Sequence, residues 1–257
     1  MTANVSRRRF LMGLASGTGA LALAGCDRLT QNPHVETLLN STEKVTLAAQ
    51  RALGRQRLAR EYTEADMSPV FRANGTQMPD SAEYAQLLER EFVDWRLQVD
   101  GLVERPQSLS LADLKRFPSR TQITRHDCVE GWSAIGKWHG VPLGHVLDAA
   151  GLKPGARFVV LHCADELEAT LDGSGRYYES IDLLDAYHPQ TILAYGMNGK
   201  NLPVAHGAPL RLRVERQLGY KHAKYLMRIE VVDAFTALFG GKGGYWEDRG
   251  YEWYAGI

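Results

Sequence analysis

Period-two alternation of apolar and polar side chains restricts this chain more than any other feature. It runs through residues 95–99 (Trp-Arg-Leu-Gln-Val), 210–214 (Leu-Arg-Leu-Arg-Val) and 225–232. Each run predicts a strand with one buried face. Residues 121–125 read as a further strand and 157–161 as a wholly buried one. Residues 192–195, followed by Asn198-Gly199, read as the first arm of a hairpin with a tight turn. Helical signals are shorter. Ser110-Leu-Ala-Asp113 starts a capped helix, residues 127–140 read as a loop, and Pro142 opens a second helix. Before these, from His34 to about Tyr62, apolar residues recur at Val35, Leu38, Leu39, Val45, Ala48, Ala49, Ala52 and Leu53. That is the spacing of an amphipathic helix interrupted near Gly54. Residues 63–80 are loop-like, and 240–257 mix glycine and aromatics with no period. The fold class is α+β, with strands dominating the second half.

A chain of 257 residues, 44% of them hydrophobic, can bury one large core or two small ones. Its 30 basic and 30 acidic side chains cancel, which argues against a nucleic-acid partner. After residue 30 no apolar run reaches the roughly 18 residues a spanning helix needs.

Residues 1–26 read as a targeting segment. Ser6-Arg7-Arg8-Arg9-Phe10-Leu11 precedes a mild apolar stretch and resembles a twin-arginine export signal. Leu23-Ala24-Gly25-Cys26 resembles a lipoprotein processing site, with Asp27 next to it resembling a signal that keeps lipoproteins at the inner membrane. The expectation is passage through the twin-arginine translocase to the periplasm, with an inner-membrane lipid anchor on Cys26. The alternative is an exported protein in which Cys26 is incidental. That route resembles one used for proteins folded around a cofactor, so it favours a bound redox group. Residues 27–69 then supply a polar linker and the N-terminal helix. Only Cys128 and Cys163 remain in the body, either paired with each other or serving as one ligand and one buried thiol. No C-x-x-C-H occurs, so the chain attaches no c-type haem itself.

The densest cluster of unusual residues is RHDCVEGWSAIGKWHGVPL, 125–143. It offers a thiol after a strand, a carboxylate two residues on, and two tryptophans among glycines. A thiolate is a soft metal ligand, but a lone Cys at a strand end is as readily a core residue. His126, His139, His145 and His162, with the two cysteines, lack the spacings of common structural zinc sites.

The segment resembles the superfamily of sulfite oxidases and periplasmic methionine-sulfoxide-reductase catalytic subunits. The likeness lies in Cys128-Val-Glu-Gly-Trp, Ile135-Gly136 and Trp138-His-Gly-Val-Pro142-Leu143. It continues in Leu193-Ala-Tyr195-Gly-Met197-Asn198-Gly199, His206-Gly-Ala-Pro-Leu-Arg211 and Gly219-Tyr-Lys221-His-Ala-Lys224-Tyr225. The resemblance implies a sulfite-oxidase-type molybdopterin-binding fold of mixed sheets with short helices over residues 70–239, with 240–257 as a tail. It implies a molybdenum cofactor with a single pterin, with Cys128 as the protein's metal ligand. Glu130 is then the acid/base and Tyr195 lines the substrate pocket. His206, Arg211, His222, Ala223 and Lys224 hold the pterin and its phosphate, and Cys163 and Asn74 lie against it. Taken without the family, Arg211 and Lys224 would be strand residues on a solvated face, Cys163 and Tyr195 core residues, and Glu130 a solvated carboxylate.

Departures from sulfite oxidases bear on the substrate. Ala73 stands where those enzymes resemble one another in carrying an arginine, and Glu130 follows the cysteine in a stretch that is arginine-rich in them. A carboxylate about 4 Å from a sulfite charge costs about 4 kcal/mol at an effective dielectric near 20. The chain also ends before the dimerisation domain of sulfite oxidases. The expectation is therefore transfer of an oxygen atom from a small S- or N-oxide. Electrons would come from a separate membrane or periplasmic protein carrying haem or linked to quinone. A sulfite dehydrogenase and a cofactor-free binding lipoprotein are the alternatives.

Overall fold

Two five-stranded sheets carry the fold in a computed structural model that describes residues 33–54, 57–170 and 175–257. The targeting segment with Cys26 lies outside the described residues. The chain divides into a unit up to Arg55 and a second from Gln56 to Ile257. In the first, helix α1 spans Pro33–Gly54. No helix among the described residues is long and apolar enough to cross a membrane. The second unit contains every residue proposed for chemistry, and also residues 240–257.

In the first sheet, β1 (Leu97–Gly101) buries Leu97 and Val99 and turns its other face outward, as the alternation predicts. It pairs antiparallel with β2 (Gln107–Leu109) and parallel with β10 (Leu226–Val232). β10 pairs in turn with β5 (Phe158–Glu166), and β5 with β6 (Arg176–Asp182). Before β1, helix α2 (Ala82–Glu89) starts at Ser81, whose side chain accepts from the Tyr84 amide, and buries Tyr84. After β2, helix α3 (Leu111–Leu114) is closed by the capping box that Ser110 and Asp113 predict.

The second sheet runs β3 (Arg120–Asp127), β4 (Ser133–Pro142), β7 (Thr191–Met197) and β8 (Lys200–Asn201), with β9 (Arg211–Val214) also paired to β7. Asn198 and Gly199 both have positive φ, the tight turn expected between β7 and β8. Pro142 caps helix α4 (Leu143–Ala150), whose buried face includes Leu143, Val146, Leu147 and Ala150; α5 (Leu183–Ala186) follows β6. Val141 and Leu193 from one sheet and Leu143 of α4 share a core with Leu97, Val160, Leu161 and Ile229 from the other sheet.

Two expectations need correction. Residues 133–142 are a strand, not a loop. Their alternation is carried by Ala134, Gly136, Trp138 and Gly140, all buried, so glycines hide the pattern. Both glycines are there for close approach. A Cβ on Gly140 would lie 2.1 Å from the Leu193 carbonyl oxygen, and one on Gly136 would lie 3.0 Å from the Phe71 ring. Strand β9 is buried on both faces, so Arg211 and Arg213 do not lie on a solvated side.

Candidate active site

Strands β3 and β4 form a hairpin with Asp127 opposite Ser133, and Cys128 is the first residue of the loop between them. The Cys128 amide donates to the Trp132 carbonyl at 2.9 Å, and the Gly131 amide to the Cys128 carbonyl at 3.0 Å. Gly131 has φ +83°, which glycine adopts without the steric cost of a side chain. The loop turns backbone N–H groups of Val129 and Glu130 toward the sulfur. Burial, the dominant influence, nonetheless holds the Cys128 thiol above its ordinary pKa, and the Glu130 charge adds to this while Arg72 opposes it. Such a thiol loses its proton readily only to a strong local cation, which a coordinated metal supplies. Glu130 itself is exposed, its Oε2 accepting from the Trp132 indole N–H at 2.9 Å.

Cys128 and Glu130 open onto a cavity of about 200 Å³, which Asn74, Asp165, Tyr177, His222 and Lys224 also line. Its remaining wall includes Trp246 and Tyr251. Residues 240–257 are therefore part of the site and not an appendage. A fully buried Lys221 fixes them there, ion-paired to Glu179 of β6 and to Glu247 of the tail.

Cys163, His206, Arg211 and Ala223 stand behind the cavity wall. Arg211 donates to the carbonyls of His206 (3.0 Å) and His222 (3.3 Å), and the Leu212 amide donates to the Ala223 carbonyl at 2.8 Å. Cys163 is buried next to Asp165 and Lys224, and both cysteines are free thiols. Tyr195 is not brought to the others. It lies on β7 beside Thr121 and His139, at the end of the β3–β4 hairpin away from Cys128. Six strand residues separate Thr121 from Asp127, about 20 Å. Tyr195 therefore lines a different cavity from Cys128, whose own cavity is faced by Tyr177, Tyr220 and Tyr251.

Electrostatics give the site its strongest character. Arg211 is wholly buried and has no carboxylate within ion-pairing distance among the described residues. Burial, reinforced by the Arg213 charge, lowers its pKa from 12.5 to about 9. By contrast, Arg213 is neutralised by Glu215 at 2.5 Å. Lys224 is also buried and without a carboxylate partner among the described residues, and its pKa is lowered to about 7, first by burial and then by Arg211. Its ammonium donates to the carbonyls of Asn74 (2.7 Å), Thr76 and Ala205 (3.2 Å). All three donors are thus used on backbone, so Lys224 anchors the Asn74 segment and acts on a ligand through charge. Burial keeps His206, His126 and His222 neutral, with neighbouring arginines adding to the effect.

Several buried polar atoms around these cations have no partner among the described residues: Arg211 Nε, His206 Nδ1, His222 Nδ1, His126 Nε2 and Asp165 Oδ1. Unpaired buried cations and orphaned donors each cost free energy, so the arrangement fits a multiply charged anion with further polar groups. A phosphorylated pterin has this chemistry. No three His, Cys, Asp or Glu among the described residues are grouped to hold a metal by themselves, so a metal at Cys128 takes its other ligands from elsewhere.

Sequence reasoning missed several members of this site. In sequence His126 stands out only beside the other histidines and cysteines, yet it packs against His222, with ring centroids 5.0 Å apart, and bonds Arg213 at 3.0 Å. Asp165, two residues beyond Cys163, is buried with its pKa raised to about 6, chiefly by burial. A charged residue inside an apolar run was the available signal. Trp246 and Tyr251 gave none, because packing fixes them and not periodicity.

Residues 84–237 match the family described as oxidoreductase molybdopterin binding domain. Over 252 residues the chain is 36% identical to a putative protein-methionine-sulfoxide reductase subunit, YedZ1, of Azospira oryzae, covering 98% of this chain and 88% of that one. It is 34% identical over 235 residues to the protein-methionine-sulfoxide reductase catalytic subunit MsrP of Xanthomonas axonopodis pv. citri, covering 88% and 70%. Among solved structures, the sulfane dehydrogenase SoxCD of Paracoccus pantotrophus is similar at a TM-score of 0.48 and 27% identity, over 55% of this chain and 38% of that one.

Proposed function

We propose that this chain, which belongs to the family of oxidoreductase molybdopterin-binding domains, is the catalytic subunit of a reductase that removes oxygen from neutral sulfoxides. The observation that carries this reading is a carboxylate, Glu130, on the same five-residue turn as Cys128, at the mouth of a cavity whose inner wall is cationic. The methionine-sulfoxide reductase names of its relatives support it, with methionine sulfoxide in proteins as the substrate class. Reduction is balanced as R₂SO + 2e⁻ + 2H⁺ → R₂S + H₂O.

A molybdenum cofactor, bound through a single pterin, would supply the two-electron chemistry. Cys128 provides the thiolate ligand. His222 and Lys224 in the cavity wall, with Arg211, His206 and the backbone at Ala223 behind them, would hold the phosphate, and Lys224 also fixes Asn74. Glu130 passes a proton from solvent to the departing oxygen. Tyr177, Trp246 and Tyr251 enclose the substrate and limit water. The catalytic-subunit name of a relative supports a separate partner that delivers electrons. The twin-arginine and Cys26 signals support delivery to the periplasmic face of the inner membrane.

Sulfite oxidation is the reading against which this is tested. Arg72 reaches over the Trp132 ring at 5.6 Å, so the loop does carry one cation despite Ala73. Arg72 is exposed, and its charge and that of Glu130 act in opposite directions at Cys128, so a second anion gains little at the mouth. Purified enzyme with a reduced viologen should reduce a neutral dialkyl sulfoxide far faster than it oxidises sulfite. Glu130→Gln should slow reduction by about 10²-fold, the scale of a general acid. Faster sulfite oxidation, or an unaffected Glu130→Gln variant, refutes the reading.

A further inference from the structure

A second cavity, of about 520 Å³, lies where Tyr195 is found, in the surface formed by α3, β3, β4, β7 and β8. Its lining includes Lys115, Lys137, Lys200 and His139 and no acidic residue. The chain as a whole carries equal numbers of basic and acidic side chains, so this is a local excess of positive charge. Glu64 neutralises Lys137. Lys115 and Lys200 have no carboxylate partner among the described residues, and the Lys115 ammonium stands 5.6 Å from the centre of the Tyr195 ring.

The recess is shaped by its backbone. His139 is held by Thr121 Oγ1 at 2.8 Å and meets the Tyr195 ring edge-on, centroids 5.2 Å apart. Tyr195 bonds Ser119 through its hydroxyl, and the tyrosine and Met197 are buried in the floor. Gly196 lets its strand pack closely against β4 there, since a Cβ would come within 3.3 Å of the His139 Cβ. Hydroxyl, imidazole and ammonium groups thus surround a partly apolar floor.

We propose that this recess is a binding site for an organic phosphoester, its phosphate held by Lys115 and Lys200 and its organic part against Tyr195 and Met197. The volume falls in the range of about 300–1,000 Å³ typical of organic-ligand sites, larger than a bare ion needs. Two uncompensated ammonium groups suit a dianion, and the absence of carboxylates from the lining excludes a cationic ligand. The phosphoester is either soluble or the headgroup of an anionic phospholipid. The site is separate from the Cys128 cavity and shares no lining residue with it.

The test uses the cofactor-loaded chain and two probes. Glycerol 3-phosphate binding is followed by calorimetry, and sedimentation is measured with phosphatidylglycerol-containing vesicles against pure phosphatidylcholine vesicles. At least one probe should bind, and Lys115→Glu/Lys200→Glu should weaken it at least tenfold. The control Arg90→Glu/Lys153→Glu, which makes the same charge change at exposed cations outside the recess, should leave binding intact. Binding of glycerol 3-phosphate assigns a soluble ligand, and preference for phosphatidylglycerol vesicles alone assigns a headgroup. Molybdenum content and reductase rate should stay at the wild-type level in both variants. Should the charge reversals fail to fold, Lys115→Gln/Lys200→Gln carries the same comparison. The proposal is overturned if neither probe binds the wild-type chain, or if recess and control variants weaken binding equally.

Discussion

Replacing Arg211 by methionine separates the cost of an unpaired buried cation from its use. In the cofactor-free chain, a guanidinium held at about 9 instead of 12.5 has its charged form disfavoured by about 5 kcal/mol. Against this stand its hydrogen bonds to the His206 and His222 carbonyls, worth about 1.5–3 kcal/mol each for a charged donor. The two contributions nearly cancel. Arg211→Met should therefore shift the stability of the cofactor-free chain by no more than about 2 kcal/mol, or roughly 4–8 °C in Tm for a domain of this size. Loading should behave quite differently. One cation in contact with a phosphate contributes about 4 kcal/mol per phosphate charge at an effective dielectric near 20, close to a thousandfold in affinity. The assay pairs thermal unfolding of chain made in a cofactor-deficient host with molybdenum and pterin content of chain made in a competent one. A variant that unfolds without cofactor, or one that keeps full molybdenum, refutes the assignment of Arg211 to the anion.

Three further outcomes follow from the same geometry. Cys128→Ser should abolish activity and lower metal content while circular dichroism and Tm stay close to wild type, because the loop is closed by backbone bonds; normal turnover by a well-metallated variant would sink the ligand role. Asp165 has a folded pKa of about 6 against an ordinary 3.8, so its contribution is lost as pH rises through 6 and costs the cofactor-free chain about 3 kcal/mol at neutral pH. Asp165→Asn should remove that loss, seen as a smaller fall in Tm between pH 4 and pH 7, and an unchanged fall would show that the carboxyl is already satisfied. Lys221→Met strands two buried carboxylates, a loss of about 3–5 kcal/mol, and should speed hydrogen exchange in residues 240–257 ahead of the sheets; uniform exchange would show that the tail is held by its aromatics.

The sequence disclosed the parts of this fold where one face of an element is apolar and the other meets water. Strands β1, β3 and β10 and the capped helix at Ser110 lie close to where alternation and capping residues put them. Pattern failed where burial is two-sided. Arg211-Leu-Arg-Val214 alternates, but between an apolar core and a buried cationic layer under Trp138, which the Arg211 and Arg213 guanidinium carbons approach at 5.0 and 4.4 Å. It failed again where backbone contact replaces side chains, as at Gly136 and Gly140. Most site residues were legible only through resemblance, because a cysteine, two histidines and two cations far apart in sequence have no period. Tyr195 lines the other cavity, since motif order fixes which strand a residue is on but not which end of the sheet it faces.

Charge is sorted by depth in the Cys128 cavity, and the sorting links assembly to substrate choice. Lys224 lines the inner wall with Arg211 buried behind it, neither ion-paired among the described residues, while Asp165 and Glu215 partly offset their charge from nearby. Before loading, that excess draws in an anion, and neutral His206 and His222 add polar groups without adding charge. A dianionic phosphate, once seated, consumes the excess. What a substrate then meets is the outer rim, where Glu130 and Arg72 offset one another. A second anion gains little there, whereas a neutral oxide needs only a proton donor and an apolar wall. The charges that admit the cofactor thereby leave a mouth suited to uncharged substrates.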